Sequence, residues 1–481
     1  MELTDKDLAS IQQVRNLLYN ANEAKKQLRR LNQQQIDKIV KAISDAATEN
    51  AEHLAKLAAD ETGFGKWQDK KIKNLFASQR VYEEIADLKT VGLVAVDEKN
   101  KVREYACPVG VIGGLIPSTN PTSTIIYKSL ISIKSGNSIV FSPHPKALNC
   151  ILETVKIVCK AGVEAGMPEG AISCISIPTM QATNELMKHK YTNLILATGG
   201  PGMVKAAYSS GTPAIGVGAG NGPAFIDKTA DVNLAVKRII DSKTFDNGTI
   251  CASEQSIVVE KVMENTVVAA LKTNGAYLMD SNEAEKVAKI LFKNGKMNAE
   301  IVGKPASYVA KLAGLDNVPE NTSVLVARET SVGLNAPYSQ EKLAPVLALY
   351  VEENVDKVLE KCISILNFEG VGHSFMMHCN DTDLIDRFAQ AIPASRIMVN
   401  SPGSLGGVGG TTNLFPALTL GCGAEGGSSS SNNIGPLDLI NIKKVAYGVR
   451  EIADIRGNDT NVPVSADMVE YIVNSVMKKL I

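Results

Sequence analysis

The sequence predicts an α/β fold built on parallel sheets, and three observations carry the prediction. From about Val91 onward, short β-rich runs alternate with helical segments, the pattern of parallel strands joined by crossover helices. The alternation comes in two series separated near Asp231, which fits two α/β domains of about 100 to 200 residues each. The chain has 481 residues, 44% of them apolar, at a mean hydropathy of +0.00, an ordinary globular mixture with more than one core.

The elements follow in order. Leu8, Ile11, Val14 and Leu18 recur at three and four residues. Ile36, Ile39, Val40 and Ile43 repeat the spacing after a polar turn, so the chain to about Ala86 reads as helices. The first β series is Gly110–Ile116, Ser138–Ser142, Ile172–Ile177, Leu194–Thr198 and Ala224–Asp227, with helical stretches over Ala147–Ala165 and Met180–His189. The second is Ser256–Glu260, Ser323–Ala327, Val346–Val351, Ser374–His378 and Arg396–Val399. Residues 401 to 435 are rich in Gly and Ser, which suits a flexible linker or backbone wrapped close to a site or a neighbouring subunit.

Composition narrows the function classes. Lys and Arg number 50 against 51 Asp and Glu, a net charge of −1, so a global basic surface for nucleic acid is not indicated. Eight cysteines without a C-x-x-C pair are too sparse for a disulfide scaffold and ill-spaced for zinc, so no metal is expected. The charged start Met1-Glu-Leu-Thr-Asp-Lys-Asp lacks a secretory apolar region, and no run approaches the ~18 to 20 apolar residues of a membrane span. A cytoplasmic location without a membrane partner is the expectation.

The most informative stretch is Ser242-Lys-Thr-Phe-Asp-Asn-Gly-Thr-Ile-Cys251-Ala-Ser-Glu-Gln255. A cysteine follows a polar, glycine-containing turn and precedes a strand. Cysteines are more often buried small hydrophobes than nucleophiles, and the other seven keep that reading. The segment Thr244–Gln255, however, resembles the nucleophile segment of CoA-acylating aldehyde dehydrogenases, in particular the aldehyde dehydrogenase half of bifunctional aldehyde/alcohol dehydrogenases. Pro117-Ser-Thr-Asn-Pro-Thr-Ser123, Phe141-Ser-Pro-His-Pro145, Ala197–Gly211, Gly216-Val-Gly-Ala-Gly-Asn221, Glu341-Lys-Leu-Ala-Pro345, Gly372-His373 and Leu420-Gly-Cys-Gly423 agree in the same order. The resemblance covers roughly residues 10 to 450. It implies an aldehyde dehydrogenase-like fold, with a Rossmann-type cofactor domain, an α/β catalytic domain and small oligomerisation segments.

The chemistry implied is oxidation of a short aldehyde, acetaldehyde first, to its acyl-CoA. Cys251 is expected to add to the carbonyl as a thiolate, giving a thiohemiacetal that collapses to a thioester. The oxyanion needs preorganised donors, which by resemblance are the Asn120 side-chain amide and the Cys251 backbone N–H. On the local sequence alone, the favoured reading of Asn120 before Pro121 is an Asx turn. Hydrolytic relatives carry a glutamate in a Glu-Leu-Gly-Gly segment. Matching that segment places Val217 at the glutamate, so water is poorly activated and the thioester waits for the CoA thiol. His373 is a candidate base for that thiol, with a structural histidine on a glycine-rich turn as the alternative. Glu254 is expected to be structural, because a carboxylate beside a thiol raises its pKa.

No Gly-x-Gly-x-x-Gly follows an early strand, so the standard dinucleotide fingerprint is missing. By resemblance, Ser142, Pro143 and His144 together with Thr198, Gly199, Gly200, Gly202 and Met203 border the adenine and pyrophosphate. Gly202–Tyr208 looks like a helix start, which favours a phosphate. Gly218 joins the cofactor set, and Glu341 resembles the residue that binds the nicotinamide ribose hydroxyls. By resemblance NAD is expected, but no acid that would disfavour a 2′-phosphate follows Phe141, where Pro143 and His144 stand, so NADP stays open.

The expected organisation is N-terminal helices and dinucleotide domain over 1–227, catalytic domain over 228–415, return and oligomerisation segment over 416–457, and a tail over 458–481. In the tail, Arg456–Val464 reads as a linker, and Ser465 caps a short helix with Val469, Ile472, Val473, Val476 and Leu480 on one face. Packing on its own subunit is one reading. The other is a resemblance to encapsulation peptides of bacterial microcompartment enzymes, which implies a shell protein as partner of residues 465–481 and a location inside such a compartment. A homodimer or homotetramer is implied by the family. CoA-acylating succinate semialdehyde or propionaldehyde dehydrogenase, a hydrolytic enzyme, and a scaffold that has lost catalysis are the rival functions.

Overall fold

The computed structural model describes residues 5–456 and 465–480. Two compact units emerge. The larger comprises the chain to Gly92 and Cys107–Asn441, and the smaller Leu93–Ala106 with the chain from Ile442 onward.

The larger unit holds two parallel sheets. The first has five strands in the order Ile172–Cys174, Ser138–Ser142, Val111–Leu115, Thr192–Ala197 and Ala214–Gly216, every pairing parallel. The short outer strands at 172 and 214 have three residues each. Its central strands are buried on both faces, as parallel sheets covered by helices require. One face packs on a core that includes Ile39, Ile43, Ile131 and Ile151, the other on Val14, Leu18 and Leu186. The N-terminal helices are thus two of the covering layers, with Lys6–Leu28 on one side and Gln33–Glu49 on the other.

The second sheet has seven parallel strands in the order Ala276–Leu278, Val324–Arg328, Val346–Glu352, Ser256–Glu260, Pro223–Ile226, Gly372–His378 and Ala394–Val399. Phe225, Phe375 and Phe388 stack on one face, and Ile239, Ile257 and Leu347 fill the other. Ala276–Leu278 is a three-residue strand with too little pattern to be read from sequence. Cys150, Cys159, Cys174, Cys251, Cys362, Cys379 and Cys422 are free thiols.

The smaller unit carries a three-stranded sheet of Gly92–Asp97, Val102–Pro108 and Ile440–Ala446. It also carries the helices Ile452–Arg456 and Ala466–Leu480. No residue of Ala466–Leu480 is buried, and Met468, Val469, Ile472, Val473, Val476 and Leu480 stand exposed along it. Most of the linker expected at Arg456–Val464 lies outside the described residues. Among the described residues, no helix is long and apolar enough to cross a membrane.

Candidate active site

The five-stranded sheet reverses its winding at Val111–Leu115. The chain moves outward through Ser138–Ser142 to Ile172–Cys174, then crosses back to Thr192–Ala197 on the other side. Loops leaving the carboxyl ends of the two neighbouring strands diverge, and a crevice opens there. It is a cavity of about 590 Å³. Ser142, Pro143 and His144 enter its wall from one strand end, Thr198, Gly199 and Gly200 from another, and Val217 and Gly218 from a third. Met203 also lines it, whereas Gly202 sits on the exposed first turn of the helix Pro201–Tyr208, outside the wall.

This wall fits the dinucleotide that the resemblance implies. The Thr198 hydroxyl is buried with no hydrogen-bond partner among the described residues. A Cβ added at Gly200 or Gly202 would meet nothing within 4 Å, so packing within the chain does not demand these glycines. They leave room for a ligand at a helix N-terminus, where backbone N–H groups favour phosphate. Lys128, buried at Nζ, ties the two strand ends together by donating to the carbonyls of Leu115 and Leu196, both at 2.8 Å. Burial holds its ammonium well below the ordinary range.

The nucleophile segment enters from the helix Val232–Thr244 through a left-handed turn. Asp246, Asn247 and Gly248 have φ of 49°, 51° and 77°. Asp and Asn tolerate this region better than other side-chain residues, at about 1–2 kcal/mol each. Tertiary bonds hold the turn: Asp246 Oδ1 accepts from the Lys66 N–H at 2.7 Å and Oδ2 from Lys70 and Lys73 Nζ at 2.9 and 2.5 Å. Asn247 donates to the Gly303 carbonyl at 2.9 Å. Cys251 leaves this turn half-buried in the cavity wall. Burial, then the charges of Glu341 and Cys422, push its thiol up to about 12, against the pull of Arg396 and its own backbone N–H.

Asn120 precedes the wholly buried helix Pro121–Lys134 as its N-cap, yet its side chain caps nothing. Instead its Oδ1 accepts from Lys73 Nζ at 2.5 Å, and its Nδ2 donates to the Thr249 carbonyl at 3.2 Å, two residues before Cys251. The Asx-turn reading is therefore replaced by a tertiary one. Asn120, Thr249 and Cys251 share the cavity wall.

Glu341 is the one carboxylate among the described residues of the wall. Its Oε1 accepts from the Gly220 N–H at 3.1 Å, and burial and then the charge of Glu369 push it up to about 8. Gly220 passes so close to the nucleophile that an added Cβ would lie 1.7 Å from the Cys251 carbonyl oxygen. Val217, 5% exposed, presents an apolar side chain to the same space.

The structure does not bring His373 into the wall. It is fully buried, its Nδ1 bonds the Ser374 hydroxyl at 2.8 Å, and its Nε2 has no partner among the described residues. Burial and then Arg396 push it down to about 3. Glu254 is buried, accepts from the Gly403 N–H at 2.7 Å, and is pushed by burial up to about 7. Sequence reasoning missed Lys70 and Lys73. Lysines at i and i+3 on a polar helix read as a solvated face, and only the Asp246 turn reveals otherwise.

Comparison with known proteins agrees with this architecture. The family model described as "Aldehyde dehydrogenase family" matches residues 2–290. The chain is 45% identical over 444 residues to the bifunctional aldehyde-alcohol dehydrogenase AdhE of Escherichia coli, covering 91% of this chain and 50% of that protein. It thus spans about half the length of the bifunctional relatives it matches. It is 36% identical over 439 residues to a succinate-semialdehyde dehydrogenase (acetylating) of Clostridium kluyveri, covering 91% and 96% of the two chains. A probable aldehyde dehydrogenase from Listeria monocytogenes superimposes with a TM-score of 0.93 at 60% identity, covering 94% of this chain and 100% of that one. For an acetylating aldehyde dehydrogenase from Geobacillus thermoglucosidasius the TM-score is 0.92 at 51% identity, with the same coverage. A propionaldehyde dehydrogenase from the fucose utilisation bacterial microcompartment of Clostridium phytofermentans gives 0.82 at 28% identity, covering 90% and 97%.

Proposed function

This chain belongs to the aldehyde dehydrogenase family, and from that premise we propose that it is CoA-acylating, converting a short aldehyde to its acyl-CoA through a thioester on Cys251. The observation that carries the reading is one cavity in which Cys251, the Asn120 amide and Glu341 meet a valine, not an acid, at position 217. The Cys251 thiolate adds to the aldehyde carbonyl, and the Asn120 Nδ2–H and the Cys251 N–H take the negative charge that forms on oxygen. Thr198, Gly199, Gly200 and Met203 with Ser142, Pro143, His144 and Gly218 would hold the dinucleotide, and Glu341 its nicotinamide ribose. When bound, the oxidised nicotinamide supplies a positive charge in this cavity and an acceptor for the hydride given up by the thiohemiacetal carbon.

Val217 cannot accept a proton from water, so the acyl-enzyme persists until the CoA thiol attacks. Thioester exchange is nearly isoenergetic and needs a deprotonated thiol more than strong activation. His373 is assigned as acceptor of that proton. It lies outside the cavity wall, and burial and then Arg396 push it down to about 3, a weak base, so the role rests on the family resemblance. His373→Ala should therefore keep a stoichiometric burst of NADH and lose steady-state turnover. Retained turnover removes the assignment.

Acetaldehyde is the substrate favoured. The only basic side chains among the described residues of the wall are His144 and Lys146, just past the strand end at Ser142, and neither the nucleophile turn nor the Asn120 loop adds one. A carboxylated aldehyde such as succinate semialdehyde meets no basic side chain of the wall beside Cys251, and Arg396, whose charge reaches Cys251, lies outside the wall and is tied to the Gly372 and Gly421 carbonyls. NAD is favoured through family resemblance alone; no carboxylate follows Ser142 in that wall to repel a 2′-phosphate, so NADP is the comparison to run. The deciding experiment is steady-state NADH formation with a panel of aldehydes, with and without CoA, using NAD and NADP. CoA-independent turnover, or turnover in Cys251→Ala, overturns the reading.

The exposed apolar helix Ala466–Leu480 supports an encapsulation role, with a microcompartment shell protein as partner, within a cytoplasmic setting and alongside a homo-oligomeric body. Deletion of 458–481 should spare activity and abolish co-sedimentation with shell proteins. Loss of activity and solubility would instead assign the helix to its own subunit.

A further inference from the structure

Asn120 occupies a position where its side chain ordinarily caps a helix, a bond worth about 1 kcal/mol. It makes no such bond, and its φ and ψ of −135° and 55° turn it away from the helix Pro121–Lys134. Its Nδ2 donates to the Thr249 carbonyl at 3.2 Å and the Thr119 hydroxyl at 3.3 Å, and its Oδ1 is held by Lys73. This ammonium, on the helix Trp67–Leu75, is 4% exposed and lies 2.5 Å from Asn120 Oδ1, 2.5 Å from Asp246 Oδ2 and 3.1 Å from Thr249 Oγ1. Lys70, one turn earlier and 2% exposed, shares Asp246 and donates to the Thr119 carbonyl at 3.0 Å. Asp69, half-buried, accepts from the Asp246 N–H at 2.8 Å; its charge acts on Lys73 from a distance.

The charge count is uneven. Two buried ammonium groups make their direct ion pairs with one buried carboxylate, with the half-buried Asp69 acting on Lys73 only from a distance, so a single lysine would satisfy Asp246. The second, Lys73, is turned also to the Asn120 amide oxygen and the Thr249 hydroxyl beside the nucleophile. A cation has only donors and binds the carbonyl end of an amide, never the NH₂ end. Lys73 therefore fixes which end of Asn120 faces Thr249 and Cys251. Pulling electron density toward Oδ1 also strengthens the N–H groups on Nδ2 as donors, as happens in chained hydrogen bonds at low dielectric.

The geometry points to Lys73 as a positioning residue of the oxyanion hole, acting through Asn120 and anchored by Asp246. The inference rests on the reading of Asn120 as an oxyanion donor, and the test separates the two. The variants are Lys73→Met, Asn120→Ala and the double variant, assayed in the full-length enzyme with acetaldehyde, CoA and NAD. Asn120→Ala should lower kcat by about 10² to 10³-fold, the usual loss for one oxyanion donor. Lys73→Met should lower kcat by about 10-fold or more with the acetaldehyde KM within about two-fold, since the lost contact matters once the oxyanion forms. In the Asn120→Ala background the same change should alter kcat by less than about two-fold, the non-additivity of residues acting as one unit. Lys73→Arg, which keeps cation and donor, should restore most of the loss. Unimpaired kcat in Asn120→Ala overturns the oxyanion reading and this inference with it. A loss in Asn120→Ala with an unimpaired Lys73→Met, or an equal loss from Lys73→Met in both backgrounds, overturns the positioning role alone. Lys70 still pairs with Asp246 in Lys73→Met. If that variant does not fold, Lys73→Gln replaces it in the same cycle, with the same supporting and overturning results.

Discussion

Gly220→Ala tests the site most directly, because one methyl group meets the backbone of the nucleophile. The added Cβ would lie 1.7 Å from the Cys251 carbonyl oxygen, 2.6 Å from its carbonyl carbon and 3.1 Å from its Cα. Real Cβ contacts do not fall below 3.0 Å, so the two backbones must part by about 1.3 Å. Neither partner can yield as a flexible side chain would. If the 216–221 strip moves, the 3.1 Å bond from the Gly220 N–H to Glu341 goes with it; if Cys251 moves, the nucleophile leaves Asn120. A misplacement of about 1 Å at reacting atoms costs about 100-fold in rate, or about 2.7 kcal/mol of transition-state stabilisation. The expected result is a loss of about 100-fold in kcat/KM for acetaldehyde, followed through NADH absorbance with CoA present. Gly218→Ala is the contrast: its Cβ would meet only Cys422 Sγ, at an ordinary 3.5 Å, and the loss should stay under about ten-fold. A Gly220→Ala enzyme within about three-fold of the parent, with an unchanged melting temperature, would refute the steric argument.

Three further outcomes follow from the same geometry. With its thiol pushed up to about 12, Cys251 in the ligand-free enzyme should react with iodoacetamide at a rate that still climbs at pH 10, because only the thiolate attacks; a plateau near pH 7 contradicts the electrostatics. Glu254 holds its proton to about 7 in the fold and to about 4.5 when unfolded, so rising pH favours unfolding between those values; Glu254→Gln should gain stability over the parent across that window, by up to about 3 kcal/mol, and hold the gain above it. A pH-independent difference in urea midpoint would dismiss the assignment. Val217→Glu should raise NADH formation without CoA at least about ten-fold, releasing free acid, since a carboxylate can then activate water. No rise in that background rate means position 217 does not govern the choice between water and thiol.

Much of the fold was legible because its signals are local. Ser138–Ser142 and Ser256–Glu260 are strands over the very residues that their apolar runs mark, and the helix Met180–Lys188 ends one residue short of the expected His189. Strand runs buried on both faces spell out parallel sheets in the chain itself. Ala214–Gly216 and Ala276–Leu278, at three residues each, carry too few positions for a period to register. The strands of the smaller unit alternate poorly because Gly92–Asp97 and Ile440–Ala446 are largely exposed on both faces.

The site divides in the same way. The sequence by itself determined the parallel α/β plan, the cysteine within its Asp-Asn-Gly turn, and the motif order that resembles acylating aldehyde dehydrogenases. Tertiary structure decided what each residue faces. It took Asn120 off its helix and set it against Lys73, threaded Gly220 between Cys251 and Glu341, and drew His373 out of the wall. The reason is separation along the chain. Lys73 meets Asn120 across 47 residues, Asp246 across 173 and Gly220 meets Glu341 across 121. A periodicity spans a few turns of helix or one strand, so it can announce an element but not its partner. Burial then reverses the ordinary meaning of a residue type: lysines that read as solvated become fixed interior charges once a left-handed aspartate folds onto them.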